Sequence, residues 1–185
     1  MRIISGIAKG KKIHLPKDKK TRPLKDMVRE SIFNVIEHSN LLHSKLDKCI
    51  VLDLFSGVGS FGLEAISRGA KKVIFFENYQ PALTILKKNI KDLSFINQTK
   101  IINHDIYGKN IFKKIKNKFN IVFLDPPFRD KNLKIIINKL LDSKLLDNET
   151  LIVIHRHKKT LDNFENKFKI VKEKIYGSSK IIFGF

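Results

Sequence analysis

Four short, nearly continuous apolar runs, each leading to a carboxylate, constrain this chain more than any other feature. Ile50–Leu54 carries Asp53, residues 72–77 end at Glu77, residues 99–103 lead to Asp105, and residues 119–124 run into Asp125. An apolar run without alternation suits a strand buried on both faces, and such strands belong to parallel sheets covered by helices. Helical spacing fills the gaps between them. Residues 61–68 form one helix, stopped by Gly69. Residues 81–93 form another, with proline in the first turn and Leu83, Leu86, Ile90 and Leu93 facing inward. Leu133, Ile136, Ile137, Leu140 and Leu141 mark a third. The alternation predicts an α/β fold: a mostly parallel, doubly wound sheet with helices on both faces. A helix over 24–37 precedes it, with Val28, Ile32, Val35 and Ile36 inward and Arg29 outside that stripe, and a weak helix is expected over 109–116. A strand over 151–154 follows, and residues 168–175 and 181–185 should close the sheet as an antiparallel pair around Gly177. Residues 2–16 read as a β-hairpin turning at Gly6 and Gly10. Two strands cannot make a core, so the hairpin must lean on the rest. The expected organisation is a basic hairpin extension over 1–20 and a main domain over 21–185.

The formal charge of +19 and a pI near 10.0 point to a polyanionic partner. Lysine-rich composition competes with that reading, but distribution favours it. The first 25 residues carry nine basic side chains against Asp18 alone. Lys9, Lys11 and Lys12 are placed there to meet phosphates rather than to read bases. No stretch approaches the roughly 18 apolar residues of a membrane helix, the N-terminus lacks a signal-peptide pattern, and the single cysteine, Cys49, suits a packed thiol in a reducing cytoplasm. His155 and His157 are taken to face opposite sides of their strand, a poor ligand pair, and no metal site is expected.

In a doubly wound sheet the four acids would share the carboxyl edge, where such folds bind ligands. Gly57, Gly59 and Gly62 match a dinucleotide fingerprint, and Glu77 follows Gly57 by twenty residues. A nicotinamide oxidoreductase is therefore a rival reading. Pyrophosphate, however, wants helix N–H groups free of a nearby carboxylate, and Asp53 stands just before the glycines. That placement suits a ligand bearing an ammonium group. S-adenosylmethionine has one, with a ribose diol for Glu77 and an adenine amine for Asp105. Asp125, Pro126, Pro127 and Phe128 then form a stiff corner able to grip a planar ring with an amino group: Asp125 and the Pro126 carbonyl as hydrogen acceptors, Phe128 as a stacking platform.

Asp53 through Ala65 together with the Asp125–Phe128 turn resembles the class I, Rossmann-like amino methyltransferases. Residues 1–6, Thr21-Arg22-Pro23 and residues 26–34 are similar to the bacterial 16S rRNA guanine-N2 methyltransferases of the RsmD type, and the likeness includes Tyr176 and Gly177. The resemblance implies S-adenosylmethionine as donor and small-subunit rRNA as partner, for a cytoplasmic, monomeric enzyme. It puts Thr21, Arg22 and Arg29 near the donor's methionine end. Asp53, Ser56, Gly57 and Gly59 would surround its middle, Glu77 and Asn78 its ribose, and Asp105 and Ile106 its adenine. Asp125, Pro126 and Phe128 would hold guanine. Leu24 stands where the family usually has a hydroxyl residue. DNA adenine-N6 or cytosine-N4 methylation remains open from the residues alone.

Overall fold

The computed structural model describes residues 1–18, 24–113, 115–164 and 167–185. Strands β1 (Ile50–Leu54), β2 (Lys72–Phe76), β3 (Thr99–Ile102), β4 (Ile121–Leu124), β5 (Leu151–His157), β6 (Ile170–Tyr176) and β7 (Ser179–Gly184) form one sheet in the order β3-β2-β1-β4-β5-β7-β6. The first five are parallel, and β7 enters antiparallel between β5 and β6. Helices α1 (Asp26–His38), α2 (Ser60–Ser67), α3 (Gln80–Asp92) and α4 (Leu133–Leu141) cover it, and β1, β2 and β4 are almost wholly buried, as their unbroken apolar runs require.

Two apolar clusters form, one containing Val51, Val73, Ile121 and Val153 and the other Leu52, Ile74, Val122 and Ile152. Neighbouring residues of each strand thus feed opposite faces, as pleating demands. Phe61 of α2 stacks between Phe33 of α1, 5.0 Å away, and Phe123 of β4, 3.9 Å away, and so joins two helices to the sheet. Gly62 allows that close approach: a Cβ there would lie 2.3 Å from the Phe75 ring. Leu24 is buried in the same core, so an apolar residue at this position is put to structural use. Cys49 is a packed thiol bonded to the Lys45 carbonyl, and burial pushes it up to about 11.

Two expectations are corrected. Residues 109–113 run as turns rather than a helix, with Asn110 in the left-handed region, although Ile111 and Phe112 are buried. Residues 2–16 form the expected hairpin in short form: Arg2 bridges Lys12 antiparallel, the Ile3 N–H donates to the Lys11 carbonyl and the Ile13 N–H to the Met1 carbonyl, and Gly6 and Gly10 turn the chain at positive φ. This segment leans heavily on the main core. Ile3, Ala8 and Ile13 are buried in it, the Ile7 N–H donates to the Ser67 carbonyl and the His14 N–H to Asn89 Oδ1. Gly6, at φ 81°, lies so close that a Cβ would sit 1.7 Å from the Ser67 carbonyl oxygen.

The second correction is Arg29, which the sequence sets outside the buried stripe of α1 and which is nonetheless fully buried. Its partners are internal: Glu64 at 3.5 Å, Asp26 at 3.0 Å and the Arg2 carbonyl. Glu64, equally buried, also accepts from the Ile4 and Ser5 N–H groups at 2.8 and 2.9 Å and from Arg68 at 2.8 Å. One carboxylate therefore ties the N-terminal segment, α1 and α2 together. Glu64→Ala strands the Arg29 charge and two backbone donors. It should lower the unfolding free energy by about 3–5 kcal/mol in urea titration, whereas Lys9→Ala at the exposed surface should leave it within about 0.5 kcal/mol of the parent.

Candidate active site

The strand order reverses between β1 and β4, since β1 continues to β2 and β3 while β4 continues to β5. Such a reversal opens a crevice at the carboxyl edge, and Asp53 and Asp125 flank it. After β1 the chain turns sharply through Phe55, Gly57 and Gly59, at φ 61°, 56° and 83°. Phe55 in the left-handed region is a strained residue of the kind that clusters at functional loops. Ser56 secures this loop to β2: its hydroxyl donates to the Asp53 and Phe76 carbonyls at 2.6 and 3.0 Å, and its N–H donates to Phe76 as well. From the end of β2, Glu77 accepts the Gly57 N–H at 2.6 Å and the Asn78 and Tyr79 N–H groups at 2.9 and 2.8 Å. Asp105 lies exposed past β3, accepting the Tyr107 N–H, with Ile106 buried beside it.

Asp53 is buried and accepts the Gly62 N–H at 3.0 Å. Burial holds its carboxyl well above the usual carboxylate range, and the nearby Asp125 and Glu77 charges push the same way against the Gly62 hydrogen bond. The acids of β1, β2 and β4 thus share one electrostatic neighbourhood. Arg29 belongs to the separate internal network described above, and Thr21 and Arg22 lie outside the described residues. Lys9, Lys11 and Lys12 are exposed on the N-terminal segment.

The turn after β4 is pinned from two sides by β5. On one face the ring of His155 meets Asp125, Nδ1 to Oδ1 at 2.7 Å, and its Nε2 meets the Ser179 hydroxyl at 2.9 Å. An ionised Asp125 requires Nδ1 to donate, which leaves Nε2 to accept from Ser179. Phe128 packs its ring against the edges of His155 and His157, with centroids 5.4 Å from each. On the other face the buried Arg156 donates to the Pro127 carbonyl at 3.3 Å and the Asp130 carbonyl at 2.8 Å, while Asp162 holds its Nε at 3.0 Å. Pro126 is buried, and Phe128 stays partly open. Neither Asp125 Oδ2 nor the Pro126 carbonyl bonds to another of the described residues, so two acceptors and a ring face remain for a ligand.

Sequence reasoning assigns no role to His155, Arg156 or Ser179, and the placing of His155 and His157 on opposite faces is corrected. Residues two apart on a strand share a face, and that periodicity was the available signal. The expected strand over 151–154 also stopped short. Pairing of His155 with Ile181 and His157 with Ser179 carries β5 on to the turn.

A carboxyl raised in the folded state binds its proton more tightly there than in the unfolded chain. The stability it contributes is therefore greatest at low pH and falls as pH rises from about 4 through the raised value. Asp53→Asn removes that loss. In urea titrations the variant should exceed the parent in stability at pH 7, and the gap should narrow steadily towards pH 4.

The family model described as conserved hypothetical protein 95 matches residues 1–184. Ribosomal RNA small subunit methyltransferase D of Haemophilus influenzae is 35% identical over 181 residues, covering 96% of this chain and 89% of that protein. The putative rRNA methyltransferase YlbH of Bacillus subtilis is 31% identical over 179 residues, covering 96% and 94%. Among solved structures, the putative methyltransferase yhhF of Escherichia coli superimposes with a TM-score of 0.79 at 30% identity, covering 100% of this chain and 96% of that one. Among the described residues no helix is long and apolar enough to cross a membrane, and no group of three or more side chains could hold a metal ion. With the crevice, the glycine loop and the pinned Asp125–Phe128 turn where a class I fold requires them, the chain belongs to this family, that of the RsmD-type enzymes, and is a methyltransferase.

Proposed function

We propose that the protein transfers a methyl group from S-adenosylmethionine to N2 of a guanine in 16S rRNA of the small ribosomal subunit. The observation that carries this reading is the Asp125–Phe128 turn. It offers two unused acceptors and one ring face beside a crevice whose other wall is the buried Asp53. Methyltransferase D relatives that match 96% of this chain are named for the small-subunit RNA. The +19 charge and the exposed Lys9, Lys11 and Lys12 suit such a polyanion. No membrane partner or metal enters the proposal, and the enzyme is taken to act in the cytoplasm as a monomer.

The donor set fits a cationic ligand better than a pyrophosphate, because Asp53 would repel phosphate at the glycine loop. Asp53, Ser56, Gly57 and Gly59 would line the donor's middle. Glu77 and Asn78 would meet the ribose, Asp105 and Ile106 the adenine, and Thr21 and Arg22 the methionine end. Glu77 already accepts three N–H groups, which fixes its carboxylate at the strand end where a diol would find it. The chemistry the donor supplies is an electrophilic methyl group on a sulfonium.

The chain's own task is to make a poor nucleophile attack. The guanine amine is weak because its lone pair is delocalised into the ring. Asp125 Oδ2 and the Pro126 carbonyl would accept its two hydrogens, allowing the nitrogen to pyramidalise and aim that lone pair. Transfer of the methyl group from sulfur to N2 would release one proton from the amine, which Asp125 and solvent would take. Positioning carries most of the rate. His155 fixes the Asp125 carboxylate, and Phe128, wedged by two imidazole edges, would stack on the base for about 1–3 kcal/mol. The base must leave its stack to enter.

Labelled methyl transfer to unmethylated small subunits, with mapping of the product nucleoside, tests the proposal. Asp125→Ala should lose on the order of a hundredfold to a thousandfold in kcat while still binding S-adenosylhomocysteine in calorimetry. His155→Ala should lose less, with the same donor affinity. Full activity in Asp125→Ala, tight binding of NADH, or a product other than N2-methylguanosine would each reject it.

A further inference from the structure

Past β3 the chain runs through Asp105, Ile106, Tyr107 and Gly108 before turning towards β4. Hydrogen bonds hold this stretch in place. Asp105 Oδ1 accepts the Tyr107 N–H and the Asp105 carbonyl accepts the Gly108 N–H, each at 3.0 Å. Lys139 of α4 donates to the Tyr107 and Gly108 carbonyls at 3.0 and 3.2 Å. The Tyr107 side chain then leaves its own loop. Its half-buried ring meets that of Phe55 in the glycine loop, with centroids 6.1 Å apart, and its hydroxyl donates to Asp130 Oδ2. Asp130 closes the turn after β4: its N–H donates to the Pro127 carbonyl at 2.8 Å, its Oδ1 accepts the Asn132 N–H at 2.7 Å and its carbonyl accepts from Arg156. One residue thus joins three loops at the carboxyl edge, those that follow β1, β3 and β4. Burial first, and then the Asp130 carboxylate, push the Tyr107 phenol up, so the hydroxyl keeps its proton and stays available as a donor.

We infer that Tyr107 is a positioning residue for methyl transfer, one that sets the Asp125–Phe128 turn against the donor site. This role rests on the donor and guanine sites proposed above. The turn's other anchors, His155 and Arg156, both belong to β5, which lies beyond β4 from β1 in the sheet order. They tie the turn to β5, whereas Tyr107 ties it to the donor side. It comes from the loop after β3, on the other side of β1 in that order, and touches Phe55 of the loop after β1. Asp105 and Ile106, placed at the adenine, directly precede it. The groups that would meet the donor and the hydroxyl that holds the turn therefore share one hydrogen-bonded stretch. Displacement at the methyl group is sensitive to such alignment, since a misplacement of about 1 Å can cost on the order of a hundredfold in rate. The effect of Tyr107 would pass through Asp130 and the Pro127 carbonyl to the residues that hold the base.

The test is labelled methyl transfer to unmethylated small subunits by Tyr107→Phe, Asp130→Ala and the double variant, all in the full chain. S-adenosylhomocysteine affinity and melting temperature are measured alongside. Tyr107→Phe keeps the ring against Phe55 and removes only the hydroxyl. It should lower kcat about tenfold, the scale of one hydrogen bond to a charged group, with KM, donor affinity and melting temperature unchanged. Asp130→Ala should lower kcat at least as much. Adding Tyr107→Phe to it should cost nothing more, because two residues acting through one contact are not additive. A Tyr107→Phe enzyme with the wild-type kcat overturns the positioning role. So does one whose donor affinity or melting temperature falls along with kcat, which marks a staple of the fold rather than an aligning contact. Losses that multiply in the double variant overturn it too, since the hydroxyl then does not act through Asp130. Each of these outcomes leaves the proposed function standing when the wild type yields N2-methylguanosine. A wild type that transfers nothing to small subunits overturns both.

Discussion

The site depends first on one pairing, β1 against β4. Because β1 also pairs with β2, two chains diverge from adjacent strand ends, the arrangement that opens a crevice at the carboxyl edge. The candidate groups stand at or just past the strand ends on that edge. Asp53 and the glycine loop come from β1, Glu77 from β2, Asp105 from beyond β3 and the Asp125–Phe128 turn from β4. The register matters as much as the order. Asp53 pairs with Phe75 on one side and Phe123 on the other, so sliding β4 by one residue would exchange the side chains it sends to the two apolar clusters and shift Asp125 relative to Asp53.

The turn itself is held by a strand the crevice does not need. Prolines restrict the backbone of residues 125–128 but supply no N–H groups for a ladder, so the corner must be anchored through side chains and carbonyls. β5 provides both anchors from successive residues, His155 to the carboxylate and Arg156 to the carbonyls. That reach exists only because β7 inserts antiparallel beside β5 and extends it to His157. The C-terminal hairpin, far from the catalytic turn in sequence, is thus part of how Asp125 is aimed, and Ser179 at the start of β7 closes the chain of hydrogen bonds.

Much of this was legible in the residues, and the divide has a physical basis. Local signals identified β1 residue for residue, the proline-started α3, the glycine loop and the four acids, because each depends on a pattern a few residues long. Arg29 could not be read that way. On a helix its position looks peripheral to the Val28, Ile32, Val35 and Ile36 stripe, and its burial becomes tolerable through partners that include the carboxylate of Glu64, arriving from α2, and the Arg2 carbonyl. Glu64 carries no local signal of its role either: it receives two N–H groups from residues about sixty positions earlier. His155 failed for a similar reason: its partner at Asp125 is thirty residues away. Side chains whose roles are set by a single long-range polar contact carry no period for a sequence to reveal.

Asp53 shows how the same arrangement serves the fold poorly and the ligand well. A carboxyl buried at a strand end, with two other acids nearby and one N–H to satisfy it, is an unfavourable place for charge. An apolar residue or an amide there would suit the core better, as cores on both sides of β1 attest. A cation entering the crevice reverses the balance, since it supplies the opposite charge in a low-dielectric setting where Coulombic attraction is strong. In the proposed reading the unfavourable burial would be selective. It would raise the cost of leaving the crevice without a cation and of admitting an anion, and so separate a sulfonium and ammonium donor from the dinucleotides that the neighbouring glycines would otherwise accept.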